Sequence, residues 1–382
     1  MEGRLPPDPT RRGGPRAAYP PDVDVAVIGA TGDVGRQVCT QLVERALLPA
    51  TSRLQLVGRV DGDSADAVHG LRADLIDAYD EHAPLLDVAL DPADVVADVV
   101  VLVAGRTQPG GRGASVDRAA LAADNYAVFA TYADALARHG SGSEVVVVVS
   151  NPVELGVAVM ADRLGRHRVI GMGAWLDTLR FRREVAVSLG VRRHRVGGFV
   201  AGEHGAGAVP LWSTVRVSGL DVDERRRAVA RVRGPRSLDD FPAELAAAHA
   251  RMDRLGTADA YRFADSLPPD LRVVIRPWLT QRSGAKTAAG SASATIDLLD
   301  TILDGRDIVV AGQVALEEED EVELAGRQVR GVLGVPVVLG QEGWTRVMFD
   351  EPAPDEVRRL AGAAAVIDEG LAPWGLPREA GA

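Results

Sequence analysis

The 382-residue sequence predicts an α/β protein: a doubly wound parallel sheet over residues 23–154, followed by an α+β domain over residues 155–372. Three observations carry that reading. Short, continuously apolar runs alternate with helical stretches in the first half, as parallel strands buried on both faces require. Glycines space the turn between the first apolar run and the first helix. Beyond residue 154 the rhythm changes to helices mixed with strands of alternating character.

The elements follow in order. "VDVAVIGA" is a short apolar run ending at glycine and reads as a buried strand, with "VGRQVCTQLVERALL" as the helix after it. "RLQLVGR" and "ADVVVLVAG" are the next strands and "AALAADNYAVFATYADALARHG" a helix. "SEVVVVVSNP" then reads as the fourth strand of the first domain. In the second domain "TLRFRREVAVSLG" and "ATIDLLDTILDG" read as helices; "VRVSGLDV", "GVLGVPVVLG" and "GWTRVMF" read as strands. The acidic residues 317–321 read as a solvated loop. Residues 1–22, rich in Pro, Gly and Arg, read as a disordered tail rather than a targeting leader, and residues 373–382 as a second tail.

Composition narrows the function. Hydrophobic content of 46% with 25% charged residues is that of a globular protein, and a net charge of −11 argues against nucleic-acid and membrane-surface partners. No apolar run approaches the roughly 18–20 residues of a membrane span. The single cysteine, Cys39, excludes an internal disulfide and a Cys-based metal site, and fits a reducing, cytoplasmic compartment.

Four motifs carry chemistry. "VAVIGATGDVG" sets Gly29, Gly32 and Gly35, with Asp33 and Val34 between them, at a strand-to-helix turn. Such glycines permit a tight turn and close approach of a pyrophosphate to the helix N-terminus, the mark of a Rossmann-type dinucleotide fold. At the end of the second strand, folds preferring NAD carry an acid for the ribose hydroxyls. Here Gly58 stands in that place and Arg59 follows. The missing carboxylate removes repulsion, and the guanidinium can hold a 2′-phosphate, so NADP is the expected cofactor and NAD the second choice. Ser150-Asn151-Pro152 end an apolar strand, where open α/β sheets bind ligands. Asp177 and Arg180 lie three apart at a helix start, able to share one face, with His204 in the Gly-rich "GEHGAGAVP". Asp177 could orient the histidine, which titrates near neutrality, and Arg180 could grip a carboxylate with two parallel hydrogen bonds.

Together and in this order, "GATGDVG", "VSNPVE", "WLDTLRFR" and "GEHGAGAVP" resemble the lactate/malate dehydrogenase family over roughly residues 23–370. The stretch "LQLVGR…GLRADLIDAY" is similar to archaeal-type malate dehydrogenases that accept NADP. The resemblance implies a 2-hydroxy acid dehydrogenase, with hydride passing between nicotinamide C4 and substrate C2. It makes His204 the acid–base, Asp177 its orienting carboxylate and Arg180 the substrate-carboxylate clamp. Asn151 would contact substrate, and Asn125 with Val149, Ser150 and Asn151 would line the nicotinamide side. A homodimer or homotetramer acting on a small 2-oxo or 2-hydroxy acid is implied as well.

The chain departs from the family in places that bear on substrate. The loop "AGRTQPGGRGASVDRAALAADN" is longer than usual. Counting back from Asn125 selects Arg118 as the carbonyl-polarising arginine, whereas counting forward from Pro109-Gly110 selects Arg112; helix register favours Arg118. The discriminating position falls among Arg106, Thr107 and Gln108, of which only the arginine suits a second substrate carboxylate. An extra segment including "GTADAYRFADSLPPD" precedes "RSGAKTAAGSA", and "GEHG" continues Ala-Gly rather than Asp-Ser. The substrate is therefore expected to be malate/oxaloacetate-like or a specialised 2-oxo acid. The alternatives are an imine, a phosphonate-bearing keto acid, or a non-catalytic dinucleotide-binding role. Among 43 basic residues only Lys286 is a lysine, and with Thr287 it falls where the family lines the substrate pocket. A compact ammonium there would meet a charged substrate tail.

Overall fold

A computed structural model describes residues 22–107, 111, 118–349 and 352–376. In the first half strands and helices alternate: β1 (Val25–Ile28), α1 (Asp33–Glu44), β2 (Arg53–Val57), α2 (Ser64–Tyr79), β3 (Leu85–Ala89), β4 (Val99–Leu102), α3 (Arg118–His139), β5 (Val145–Val148), α4 (Val153–Leu164) and β6 (Val169–Gly171). The strands β1, β4 and β5 are continuously buried, which is why they carry only Val, Ile, Leu and Ala. Phe129 and Leu136 of α3 and Met160 of α4 are buried in the same core.

The second half contains α5 (Gly173–Leu189), β7 (Val196–Gly202), β8 (Ala208–Val217), α6 (Val222–Arg233), α7 (Phe241–Asp253), α8 (Thr257–Asp265), α9 (Pro269–Arg282) and α10 (Ala288–Asp304). There follow β9 (Ile308–Leu316), β10 (Glu323–Leu324), β11 (Arg327–Gln328), β12 (Gly331–Gly340), β13 (Gly343–Val347) and α11 (Pro354–Leu371). The main sheet runs β3-β2-β1-β4-β5-β6-β9-β12-β7-β8, with β13 added against β12. The pairs from β3 to β6 are parallel and those from β6 to β8 antiparallel. The first six strands thus form a doubly wound sheet whose order reverses between β1 and β4, the place where such sheets bind ligands.

The expected α/β architecture stands, with corrections at the edges. "LLDVA" forms β3, an edge strand whose exposed Leu85 and central Asp87 interrupt the apolar pattern. The Ser-Asn-Pro strand is accordingly the fifth, not the fourth. The parallel set also runs past residue 154, because β6 pairs in parallel with β5; a three-residue strand leaves too short an apolar run to notice. Residues 317–321 are not a bare solvated loop: Arg166 forms salt bridges with Glu317, Glu319 and Asp320. The chain packs beyond residue 373, where Trp374 stacks on Tyr126 of α3 at 4.4 Å.

The extra segment is helical. It builds α8, which together with the preceding α7 packs on α9. That helix is bound to α5 through the fully buried Glu184, whose carboxylate meets Arg272 Nε at 2.7 Å and Arg276 at 3.0 Å. Leaving a buried carboxylate unpaired is costly, so this cluster holds α5 in place.

Candidate active site

Two elements converge at the carboxyl ends of β6 and β7. Asp177 and Arg180 belong to the first half of α5, just after β6, and His204 sits in the turn between β7 and β8. That turn needs its glycine: Gly202 has φ +87°, a left-handed conformation that side chains rarely adopt. His204 Nδ1 donates to Asp177 Oδ2 at 2.8 Å, and Arg180 Nη1 donates to Asp177 Oδ1 at 2.9 Å. One carboxylate, only 2% exposed, therefore binds both the imidazole and the guanidinium.

The electrostatics follow from that hub. Burial pushes the Asp177 carboxyl up, but the charges and hydrogen bonds of His204 and Arg180 outweigh it and hold the group below its ordinary value. Burial likewise pushes the His204 imidazolium down; the charge and hydrogen bond of Asp177 overcome this and hold it above its ordinary value. With Nδ1–H committed to Asp177, Nε2 is the nitrogen left to exchange a proton.

Two residues that the sequence reading passed over complete this arrangement. Glu154, in the first turn of α4 and 9% exposed, accepts the His204 backbone N–H at 2.7 Å. Gly173 opens α5 so close to His204 that a Cβ there would stand 2.5 Å from the imidazole Cγ. The only sequence signal for Glu154 was its place after "SNPV"; nothing local marked Gly173.

The dinucleotide turn has the shape that its glycines require. A Cβ on Gly29 would meet the Ala104 backbone at 2.7 Å, and one on Gly35 the Gly29 carbonyl oxygen at 2.2 Å. Gly32 caps α1 with no side-chain hydrogen bond, leaving the helix's first N–H groups to an external acceptor. A tightly packed, side-chain-free cradle at a helix N-terminus fits a dinucleotide diphosphate. Asp33 and Gly32 are exposed in that turn, while Val34 packs against the core. Gly58 is buried against Val68, Leu90 and Ser64, and Arg59 is exposed, its backbone N–H donating to Ser64 Oγ at 3.0 Å.

The remaining expected residues divide. Ser150 donates to the Ala104 carbonyl at 2.7 Å, and Val149 is buried, so both shape the strand end; Asn151 is exposed there. Asn125 braces the strand end. It is fully buried, accepts from Arg106 N at 2.7 Å, and donates to the carbonyls of Arg106 and Asn151 at 3.0 and 2.6 Å. Arg106 lies exposed beside Asp124 at 3.0 Å, and Thr107 is exposed too. Arg118 opens α3, whereas Gln108, Pro109, Gly110 and Arg112 fall outside the described residues. Thr287 caps α10, whose first turn places Gly290 against Leu176 of α5. The side chain of Lys286 is 64% exposed and ion-paired with Asp33 of the glycine turn. Among the described residues there is no metal-binding cluster of His, Cys, Asp or Glu, and no helix long and apolar enough to cross a membrane.

Sheet order, glycine turn and cluster together define a Rossmann-type dinucleotide-binding protein with a second, α+β part. Residues 23–171 match the family model for the lactate/malate dehydrogenase NAD binding domain. Over 348 residues the chain is 30% identical to a malate dehydrogenase of Methanothermobacter marburgensis, covering 88% of this chain and 93% of that protein. It is 29% identical to one from Halobacterium salinarum, over 89% of this chain and 95% of that one. An L-lactate dehydrogenase B chain of Sceloporus undulatus is 26% identical over 91% of each. The chain belongs to the lactate/malate dehydrogenase family. A solved lactate dehydrogenase from Cryptosporidium parvum, 19% identical, shares the fold with a TM-score of 0.68 over 92% of this chain and 98% of that one.

Proposed function

We propose that the protein is an NADP(H)-preferring 2-hydroxy acid dehydrogenase acting as a 2-oxo acid reductase, with a malate/oxaloacetate-like or specialised 2-oxo acid as substrate. The observation that carries this reading is the pair of hydrogen bonds that Asp177 accepts, from His204 Nδ1 at 2.8 Å and from Arg180 at 2.9 Å. It couples a proton donor to an anion receptor at the ligand-binding end of the sheet. The exposed Arg59 beside the side-chain-free Gly58 supports the preference for a 2′-phosphate.

When bound, the nicotinamide supplies or accepts the hydride at C4. The chain's own residues do the rest. Asp177 holds Nδ1–H, so that Nε2 of His204 faces the reacting oxygen and gives it a proton in reduction or takes one in oxidation. By holding the imidazolium above its ordinary value, Asp177 favours the protonated donor. Arg180 spends one N–H on Asp177 and keeps the others for the substrate carboxylate, fixing C2 relative to Nε2. Asn125 ties the strand end at Asn151 to the loop start at Arg106, bringing one substrate contact and one specificity position into register.

The test is oxidation of NADPH and of NADH by the purified protein over a panel of mono- and dicarboxylic 2-oxo acids. Turnover with NADPH ahead of NADH, best on a 2-oxo acid, is expected. No turnover with either cofactor on any 2-oxo acid would overturn the reading.

A further inference from the structure

The acid–base histidine is held at two points, and only one belongs to the aspartate. Its backbone N–H donates to Glu154 Oε1 at 2.7 Å, across a separation of 50 residues. Glu154 is 9% exposed. A neutral acceptor would satisfy that N–H equally well, and a buried carboxylate carries a desolvation cost that an amide does not. Placing an acid there adds something beyond the hydrogen bond, namely charge beside His204.

We propose that Glu154 is a positioning residue for the acid–base histidine, its carboxylate fixing the His204 backbone while its charge favours the imidazolium. The inference rests on the reductase reading for its kinetic consequence. The groups facing the pair are few. His204 and Glu203, both of the β7–β8 turn, act on Glu154; Asp177 and Arg180 of α5 act on His204; Arg359 of α11 acts on Glu203. Of these, Asp177 and Glu154 raise the imidazolium's proton affinity and Arg180 lowers it. Burial, the largest influence on Glu154 itself, pushes its carboxyl up to about 7, against the hydrogen bond and charge of His204. Its position in the first turn of α4 favours the ionised form as well.

The test reads the histidine directly. Nuclear magnetic resonance titration of histidine-labelled protein, with His204→Gln to assign the signal, gives the His204 midpoint. Glu154→Gln keeps the acceptor and removes the charge. It should lower that midpoint by about half to one pH unit, a discounted share of the effect of a nearby opposite charge. The alkaline limb of kcat/KM for 2-oxo acid reduction should move down equally. Glu154→Leu leaves the N–H unmet and should lower kcat at least about tenfold, with cofactor Kd unchanged. An unmoved His204 midpoint in Glu154→Gln, or an unchanged kcat in Glu154→Leu, overturns the proposal. Should Glu154→Leu not fold, the isosteric Glu154→Gln decides alone. A protein that shows the shift yet reduces no 2-oxo acid keeps this inference and loses the functional reading.

Discussion

Replacing Gly173 by alanine should disable the site while leaving the fold in place. The added Cβ would stand 2.5 Å from His204 Cγ, 2.7 Å from its Cβ and 2.9 Å from Nδ1. Carbon atoms settle about 3.5–4.0 Å apart, so the imidazole must withdraw by about 1 Å. It has no slack for this: Nδ1 is held by Asp177 at 2.8 Å and the backbone N by Glu154 at 2.7 Å. A shift of that size takes the Nδ1 bond beyond hydrogen-bonding range. Misplacing a reacting group by 1 Å can cost about 100-fold in rate. Against this, alanine favours a helix over glycine by up to about 1 kcal/mol, which offsets part of the steric cost to stability. The assay is kcat for NADPH-dependent reduction of the best 2-oxo acid, with thermal unfolding alongside. Wild-type kcat in a folded Gly173→Ala protein would refute the argument, because the histidine would then have room that the structure denies it.

Other perturbations separate the remaining roles. Asp177→Asn should cut kcat by about 10²–10⁴-fold, the range for general acid–base catalysis, and loosen Arg180 as well; a loss below tenfold would remove Asp177 from the mechanism. The same variant should flatten the dependence of unfolding temperature on pH. The depressed Asp177 stabilises the fold above its ordinary 3.8 and loses this as pH falls through its folded value. The raised His204 stabilises it below 6.5 and loses this as pH rises through its folded value. An equally pH-dependent variant would contradict the coupling. Arg180→Lys should lower kcat/KM by roughly ten- to a hundredfold, matching the 1.5–3 kcal/mol of a hydrogen bond to a charged group, and unchanged kcat/KM on every accepted acid would place Arg180 outside the substrate site. Arg59→Ala should weaken NADPH binding by about the same energy and spare NADH; equal loss for both cofactors would dismiss the 2′-phosphate contact.

Which parts of this were legible depended on range. The glycine turn, the strand end at Ser150–Asn151 and the Asp177–Arg180 spacing are local patterns, and local rules of turn, helix face and strand period recover them. Glu154 and Gly173 act only through contacts 50 and 31 positions along the chain from their own, with a residue brought beside them by the sheet. A glutamate after a proline turn and a glycine before a helix otherwise look like an N-terminal charge and a helix start. For Asn125 a sequence shows an amide and not that both its N–H groups meet carbonyls. For Lys286, likewise, rarity marks a residue without saying which carboxylate it meets, and here that is Asp33.

The geometry of the cluster is set by strand register as much as by its own side chains. From the end of β6, where α5 begins, the pairing runs Gly171 to Gln313 of β9, Gln313 to Gly334 of β12, and Gly334 to Gly202 of β7, where the His204 turn begins. Every step is crowded. A Cβ on Gly171 would fall 2.9 Å from that of Gln313, and one on Gly334 would fall 2.4 Å from the Gly202 carbonyl oxygen. Gln313 is fully buried, and its side-chain oxygen accepts the Ala174 N–H at 2.9 Å, binding the first turn of α5 to the same row. A one-residue slip in β12 would turn every side chain of that strand to the opposite face and put a side chain where only glycine fits. The register is therefore locked by close backbone approach at positions that carry no chemistry. Asp177 and His204 reach 2.8 Å from each other because a row of glycines and one glutamine leaves the sheet no other way to pair.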